Sequence, residues 1–245
     1  MKKNYKMIIS YDGGRYYGWE RQPNKDTIQG KLEYVLSEMC GEPTEVIGAG
    51  RTDGGVHALA MTANAFMETE KSPEEIRDYM NHYLPQDICV REVRIASDRF
   101  HARYKAVGKL YRYTCYAGSG KPVFDRKYVN VLDFEPDLEA MRKAASYLTG
   151  KHDYKSFCGN PRMKKSTIRI VDRIDIRRKG GYITLEYHGT GFLQYMVRIM
   201  TGTLLQVGRG SISPEDVKDI LEAKSRPLAG PTAPAQGLSL VEVDY

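Results

Sequence analysis

The 245-residue chain has little of what marks a disulfide-built, metal-built or membrane-spanning protein. Its four cysteines, Cys40, Cys89, Cys115 and Cys158, form no CxxC pair and no Cys/His pair at zinc spacing. The expectation is therefore no metal, no disulfide framework, and free thiols in a reducing compartment. Long apolar runs are missing too. The basic opening MKKNYKMIISYDGG loses its apolar character after Met7-Ile8-Ile9, short of a signal-peptide core. The later run FLQYMVRIMTGTLL carries Arg198 and is too short to span a bilayer. A cytoplasmic protein with no membrane association is expected. With no glycine-rich nucleotide loop or other cofactor motif in the chain, no cofactor is expected either.

What is present is an ordinary globular composition, 41% hydrophobic and 28% charged, with an uneven positive balance. Residues 151–179 hold ten Lys/Arg against three Asp, and residues 99–112 hold five Lys/Arg against no acid, within a net charge of +6. Such basic stretches suit a phosphate backbone, and eighteen tyrosines offer faces on which unpaired bases can stack. A basic surface that serves only solubility has the same composition.

The patterning gives an α+β fold. Tyr5–Tyr11 reads as a strand running into the turn Asp12-Gly13-Gly14, and Thr27 caps a helix IQGKLEYVLSEMC that stops at Gly41. Strands are expected at 45–47, 56–66 and 88–95, with a second helix begun by Ser72-Pro73. That order, β-α-β-β-α-β, is a split βαβ or ferredoxin-like unit. The second half repeats the theme: a strand at 105–116, a helix at 137–148, a hairpin of 167–177 with 182–188, a long helix at 192–207, a short helix from Ser213-Pro214 and a last strand at 238–243. Two ferredoxin-like units packed side by side are expected, residues 1–104 and 105–245, with an active-site cleft between them. In the long helix one apolar arc runs through Phe192, Met196, Val197, Ile199, Met200, Leu204 and Val207, with Arg198 opposite.

The stretch GAGRTDGGVHA, Gly48–Ala58, sets charges among glycines and alanines. A tight turn needs the glycines but not Arg51, Asp53 or His57. In extended backbone Arg51 and Asp53 project to the same side. Asp53 also reads as a turn aspartate capping its own backbone, and His57 as a structural, hydrogen-bonded residue. On the strand KLYRY, Lys109, Tyr111 and Tyr113 share one face. Taken alone this is a tyrosine-rich strand, as Arg198 taken alone is a solvated arginine. Trp19, the only tryptophan, is expected to pack beneath the Asp12-Gly13-Gly14 turn.

The string GRTDGGVHA resembles the signature of the tRNA pseudouridine synthase A family, in which the aspartate of the R-T-D triplet is essential. Other blocks resemble the family in fitting order: YDGGRYYGWERQPNKDTIQGKLE upstream, then GKLYRY, KSFCGN with TIRIV, FLQYMVRIMTGTLLQVGRG and GPTAPAQGLSLVEVDY. The chain departs from the pattern at Gly14 and Glu20, where Thr and Gln are usual, and at Ala60-Met61-Thr62 in place of a Gly-Gln-Val run. The resemblance implies isomerisation of uridine to pseudouridine in the anticodon stem-loop of tRNA, at positions 38, 39 and 40, by a homodimer that needs no cofactor. It implies that Asp53 is the catalytic carboxylate, that Arg51 fills the gap left by a flipped-out base, that Tyr111 packs on the target base, and that Arg198 is the ion-pair partner of Asp53. Two rivals stand beside it. A non-catalytic RNA-binding module of the RRM type would carry an aromatic RNP1 octamer, which is missing here. A hydrolase built on Asp53 would need a second carboxylate or metal ligands.

Overall fold

The computed structural model of the chain describes residues 1–160 and 162–245; Pro161, within the basic segment 151–179, lies outside the described residues. The chain divides into two compact units, Met1–Val107 with Leu240–Tyr245, and Gly108–Ser239.

The first unit opens with β1 (Lys3–Tyr11), α1 (Ile28–Cys40), β2 (Ile47–Gly48), β3 (His57–Met67), α2 (Pro73–Tyr83) and β4 (Ile88–Ala96). This is the expected β-α-β-β-α-β order. Strand β1 is paired antiparallel on one side with β3, Lys3 opposite Met67, and on the other with β4, Asn4 opposite Ala96. Tyr5, Met7, Ile9 and Tyr11 alternate inward along β1 and are buried, as period-2 patterning demands. The helix ends follow their capping residues. Thr27 Oγ1 accepts from Gly30 N at 3.3 Å, and α1 ends at Gly41 in the left-handed conformation, φ 69°. Ser72 and Glu75 form a reciprocal capping box at the start of α2, with Pro73 at the first helical position. Glu33 on α1 is a buried carboxylate, satisfied by Val46 N, Gln29 Nε2 and Arg21.

The second unit contains β5 (Gly108–Tyr116), β6 (Asn130–Val131), α3 (Leu138–Tyr147), β7 (Gly150–Asp153), β8 (Ile168–Lys179), β9 (Tyr182–Gly189), α4 (Met196–Gly208) and α5 (Asp216–Ala223). Its strands lie in the order β5-β9-β8-β7, and β6 pairs with β5. The β8–β9 hairpin turns at Gly180-Gly181 as expected, with Gly180 at φ 59°. Tyr113, Cys115, Ile183, Leu185 and Tyr187 form the inner face of β5 and β9.

Three expectations change. The last strand, β10 (Leu238–Asp244), was expected to complete the second unit, yet Leu240–Tyr245 belongs to the first. The strand pairs with β3, Val107 N–H donates to Asp244 O at 2.9 Å, Tyr245 Oη donates to Ala102 O at 2.7 Å, and the Tyr245 ring meets Phe100. Helix α4 starts at Met196 rather than Phe192, because Tyr195 adopts a left-handed backbone, φ 59°, that ends any helical continuation. Nor is α4 apolar along one arc only: eleven of its thirteen residues are buried. A loop from Ala229 to Ala233 packs against the side where Gly202 lies, and a Cβ on Gly202 would come 1.7 Å from Pro231 O.

Among the described residues no helix is long and apolar enough to cross a membrane, and no group of three or more His, Cys, Asp or Glu could hold a metal ion.

Candidate active site

The Arg51–Asp53 stretch is built by two chain segments that interlock through their backbones. Residues 16–20 run against residues 51–55 in the opposite direction: Trp19 N–H donates to Thr52 O at 3.0 Å and Gly55 N–H to Tyr16 O at 3.3 Å. Approach this close requires glycine. A Cβ at Gly18, φ 101°, would lie 2.7 Å from Thr52 O, and one at Gly13 would lie 1.9 Å from Val56 O. The turn itself closes from Val56 N–H to Asp53 O at 3.2 Å, with Gly55 at φ 80°.

Side-chain direction follows the expected alternation. Thr52 is buried with its hydroxyl 2.8 Å from Tyr11 Oη, while Arg51 is exposed and Asp53 half-buried. The Arg51 guanidinium forms an ion pair with Glu20, Nη2 to Oε1 at 2.5 Å. His57 is buried, and its Nδ1 lies 3.1 Å from Gly13 N and 2.9 Å from Asp12 Oδ1. A bare Nδ1 accepts the Gly13 N–H and a protonated one pairs with Asp12. In either state His57 holds the Asp12-Gly13-Gly14 turn, the structural role expected of it.

Trp19 is buried beside the first strand. It is 3% exposed, with its ring against Gly48, where a Cβ would come 2.5 Å from the indole, and against Tyr11 at a centroid distance of 6.1 Å. It packs under the start of the GAGRTD stretch and beside Tyr11, the residue that precedes the Asp12 turn.

In the second unit Tyr111 lies on β5 and Arg198 on α4. Tyr111 is a buried residue of β5 opposite Tyr187, with its ring edge-on to Phe192 at 5.3 Å. Arg112, on the other face of β5, bonds Glu186 at 2.8 Å. Arg198 is half-buried on α4: its Nε donates to Ala233 O at 2.7 Å, its carbonyl accepts Ala233 N–H at 3.0 Å, and its guanidinium lies 5.2 Å from the Tyr195 ring. Tyr113 helps hold the same loop by donating to Pro234 O at 2.8 Å; burial pushes its phenol well above the ordinary tyrosine range. Arg198 is thus a loop anchor, not a freely solvated arginine.

The family model described as tRNA pseudouridine synthase matches residues 7–105 and 144–245. A tRNA pseudouridine synthase A from Bacillus sp. (strain KSM-64) is 44% identical over 243 residues, covering 99% of this chain and 99% of that protein. A tRNA pseudouridine synthase A 2 from Bacillus anthracis is 42% identical over 244 residues, again covering 99% of both. The chain belongs to the tRNA pseudouridine synthase family. Asp53, Arg51 and Arg198 of this synthase lie within the matched segments, and Tyr111 lies in the stretch between them. Among solved structures, the archaeal box H/ACA sRNP Nop10-Cbf5 complex aligns at 12% identity and a TM-score of 0.35, over 89% of this chain and 61% of that chain, a likeness too slight to bear on fold or site.

Sequence reasoning missed a support of the synthase's interlocked turn. Asp87 accepts from Tyr16 Oη at 2.6 Å and from Arg15, and its carbonyl accepts Asp12 N–H at 2.9 Å. Burial raises the Asp87 pKa, but the hydrogen bonds from Arg15 and Tyr16 outweigh it and hold the carboxyl below the usual range. Asp87 is seventy-one positions from Tyr16, so only the fold brings them together.

Proposed function

We propose that the enzyme converts uridine to pseudouridine in the anticodon stem-loop of tRNA, at positions 38, 39 and 40, with Asp53 as the essential carboxylate. The reaction breaks the bond from ribose C1′ to N1 of the base, turns the base, and joins C1′ to C5. The C5 proton is lost to solvent and N1 gains one, so no oxidant or imported group is required. The observation that carries this reading is the half-buried Asp53 on a turn fixed by backbone interlock, within a segment matched by the family model. A carboxylate fixed in place on a rigid turn is suited to attack or proton abstraction.

A uridine in a stem must leave its stack, at a cost of about a few kcal/mol. In this reading Arg51, exposed beside Asp53 in sequence, occupies the gap left behind. Tyr111 packs on the flipped base, and Arg198 is the counter-charge that keeps Asp53 ionised. The basic segments 99–112 and 151–179 bind the phosphates. The enzyme acts as a cytoplasmic homodimer, and sedimentation as a monomer would remove that part of the reading.

Asp53→Asn tests the central role, because an amide neither attacks carbon nor accepts the proton. Tritium release from tRNA labelled at uridine C5 should become undetectable while filter-retained tRNA binding persists, since affinity rests on phosphate contacts. Near-normal release by the variant would sink the assignment. Release from intact RNA by the unaltered enzyme also separates the isomerase from a hydrolase and from a binding module.

A further inference from the structure

The interlock that builds the Asp53 turn also fixes what stands opposite Arg51. With Trp19 bonded to Thr52 and Tyr16 to Gly55, the opposed segments bring Glu20 level with Arg51. Glu20 is pinned on both sides. Trp19 O accepts Gln29 N–H at 3.0 Å, Arg21 N–H donates to Gln29 Oε1 at 2.9 Å, and the Arg21 guanidinium pairs with Glu33 at 3.2 Å. The 2.5 Å contact between Glu20 and Arg51 is therefore set by backbone register, not by the reach of two loose side chains.

Both side chains are about half exposed, 57% for Arg51 and 47% for Glu20, so the pair adds little to fold stability. Its effect falls on the arginine. One fixed carboxylate restricts the rotamers of a long side chain that would otherwise sweep a wide volume, and that lost freedom need not be lost again when RNA binds. An amide oxygen accepts the same hydrogen bond without offsetting the arginine's charge.

We infer that Glu20 is a positioning residue for Arg51: it presets the guanidinium beside the Asp53 turn, so that extrusion of the target nucleotide begins from an ordered arginine. This rests on the role given to Arg51 in the proposed function.

The test is a double-mutant cycle on the single-turnover rate of pseudouridine formation at saturating enzyme, using Arg51→Ala, Glu20→Ala and the pair. Glu20→Ala should slow the rate about five- to tenfold in the otherwise unaltered enzyme and less than twofold in the Arg51→Ala background. Glu20→Gln, which keeps the hydrogen bond, should stay within twofold of the unaltered rate. Thermal midpoints within a degree or two of the parent would show that the variants fold. Equal slowing by Glu20→Ala in both backgrounds, or no slowing in either, overturns the inference while leaving Arg51 its role. A normal rate in Arg51→Ala alone overturns the role of Arg51 and the inference with it.

Discussion

The 51–57 turn, which carries Arg51 and Asp53, and the 229–234 loop, which Arg198 of α4 anchors, are held in different ways. The 51–57 turn is tied to residues 13–19 mainly by peptide groups, with glycines at the two closest approaches. Asp53 rides on that frame. The 229–234 loop also meets glycine, at Gly202 and Gly230, but beside one backbone bond, Ala233 N–H to Arg198 O, it is held by side chains: Arg198 Nε on Ala233 O, Tyr113 Oη on Pro234 O, and Thr203 Oγ1 accepting Gly230 N–H at 2.9 Å. A frame made of backbone lets a functional side chain be exchanged with limited structural damage. Where the functional candidate is itself a strut, chemistry and architecture are lost together.

The sharpest way to break this contrast is Gly18→Ala. Its left-handed backbone and the 2.7 Å approach to Thr52 O leave a methyl group no place. The variant should lose about 3 kcal/mol or more, read as a fall in urea midpoint of about 1–2 M. A loss under about 1 kcal/mol would mean that the interlock gives way easily. Next in size is Arg198. Replacement by alanine removes a charge-assisted bond to Ala233 O and should cost about 1–2 kcal/mol, with faster proteolysis across 229–234. Lysine keeps the charge but lacks the guanidinium fork, so Arg198→Lys should lose similar stability while retaining more turnover than Arg198→Ala. Equal turnover in the two would remove the charge role. The smallest change is Tyr113→Phe, expected to cost about 1 kcal/mol and a few degrees of melting temperature. Cys115, two residues along β5 and buried, reports it, since burial pushes its thiol up to about 12 and keeps it protonated in the closed state at pH 8. Its labelling by a thiol reagent should quicken about fivefold. Unchanged labelling would show that the hydroxyl is not an anchor.

Much of the architecture was legible in local signals. Thr27 with Gly41, and Ser72 with Pro73, bound their helices as capping chemistry demands, and the run Tyr5–Tyr11 marked β1. The alternation of Arg51, Thr52 and Asp53 was legible too. What stayed hidden rests on residues far apart in sequence. Nothing local joins Asp87 to Tyr16, or Tyr245 to Ala102. Helix α4 looked one-sided because its polar residues Thr201 and Thr203 are buried through bonds to carbonyls one turn back. Gly202 within that helix was the available clue, since a glycine in a helix interior marks a close neighbour. The Glu20–Arg51 pair showed in sequence only as a departure from the family pattern.

The seat of Trp19 gives the enzyme a built-in optical gauge. It is the sole indole of the chain, sealed between Gly48 and Tyr11 and bonded through its backbone to Thr52. Its fluorescence therefore comes from one place, against Gly48 at the start of the stretch that carries Asp53. Any event that parts residues 16–20 from 51–55 hydrates that ring and moves its emission to longer wavelength, so stopped-flow fluorescence can time motions of the turn in unlabelled protein.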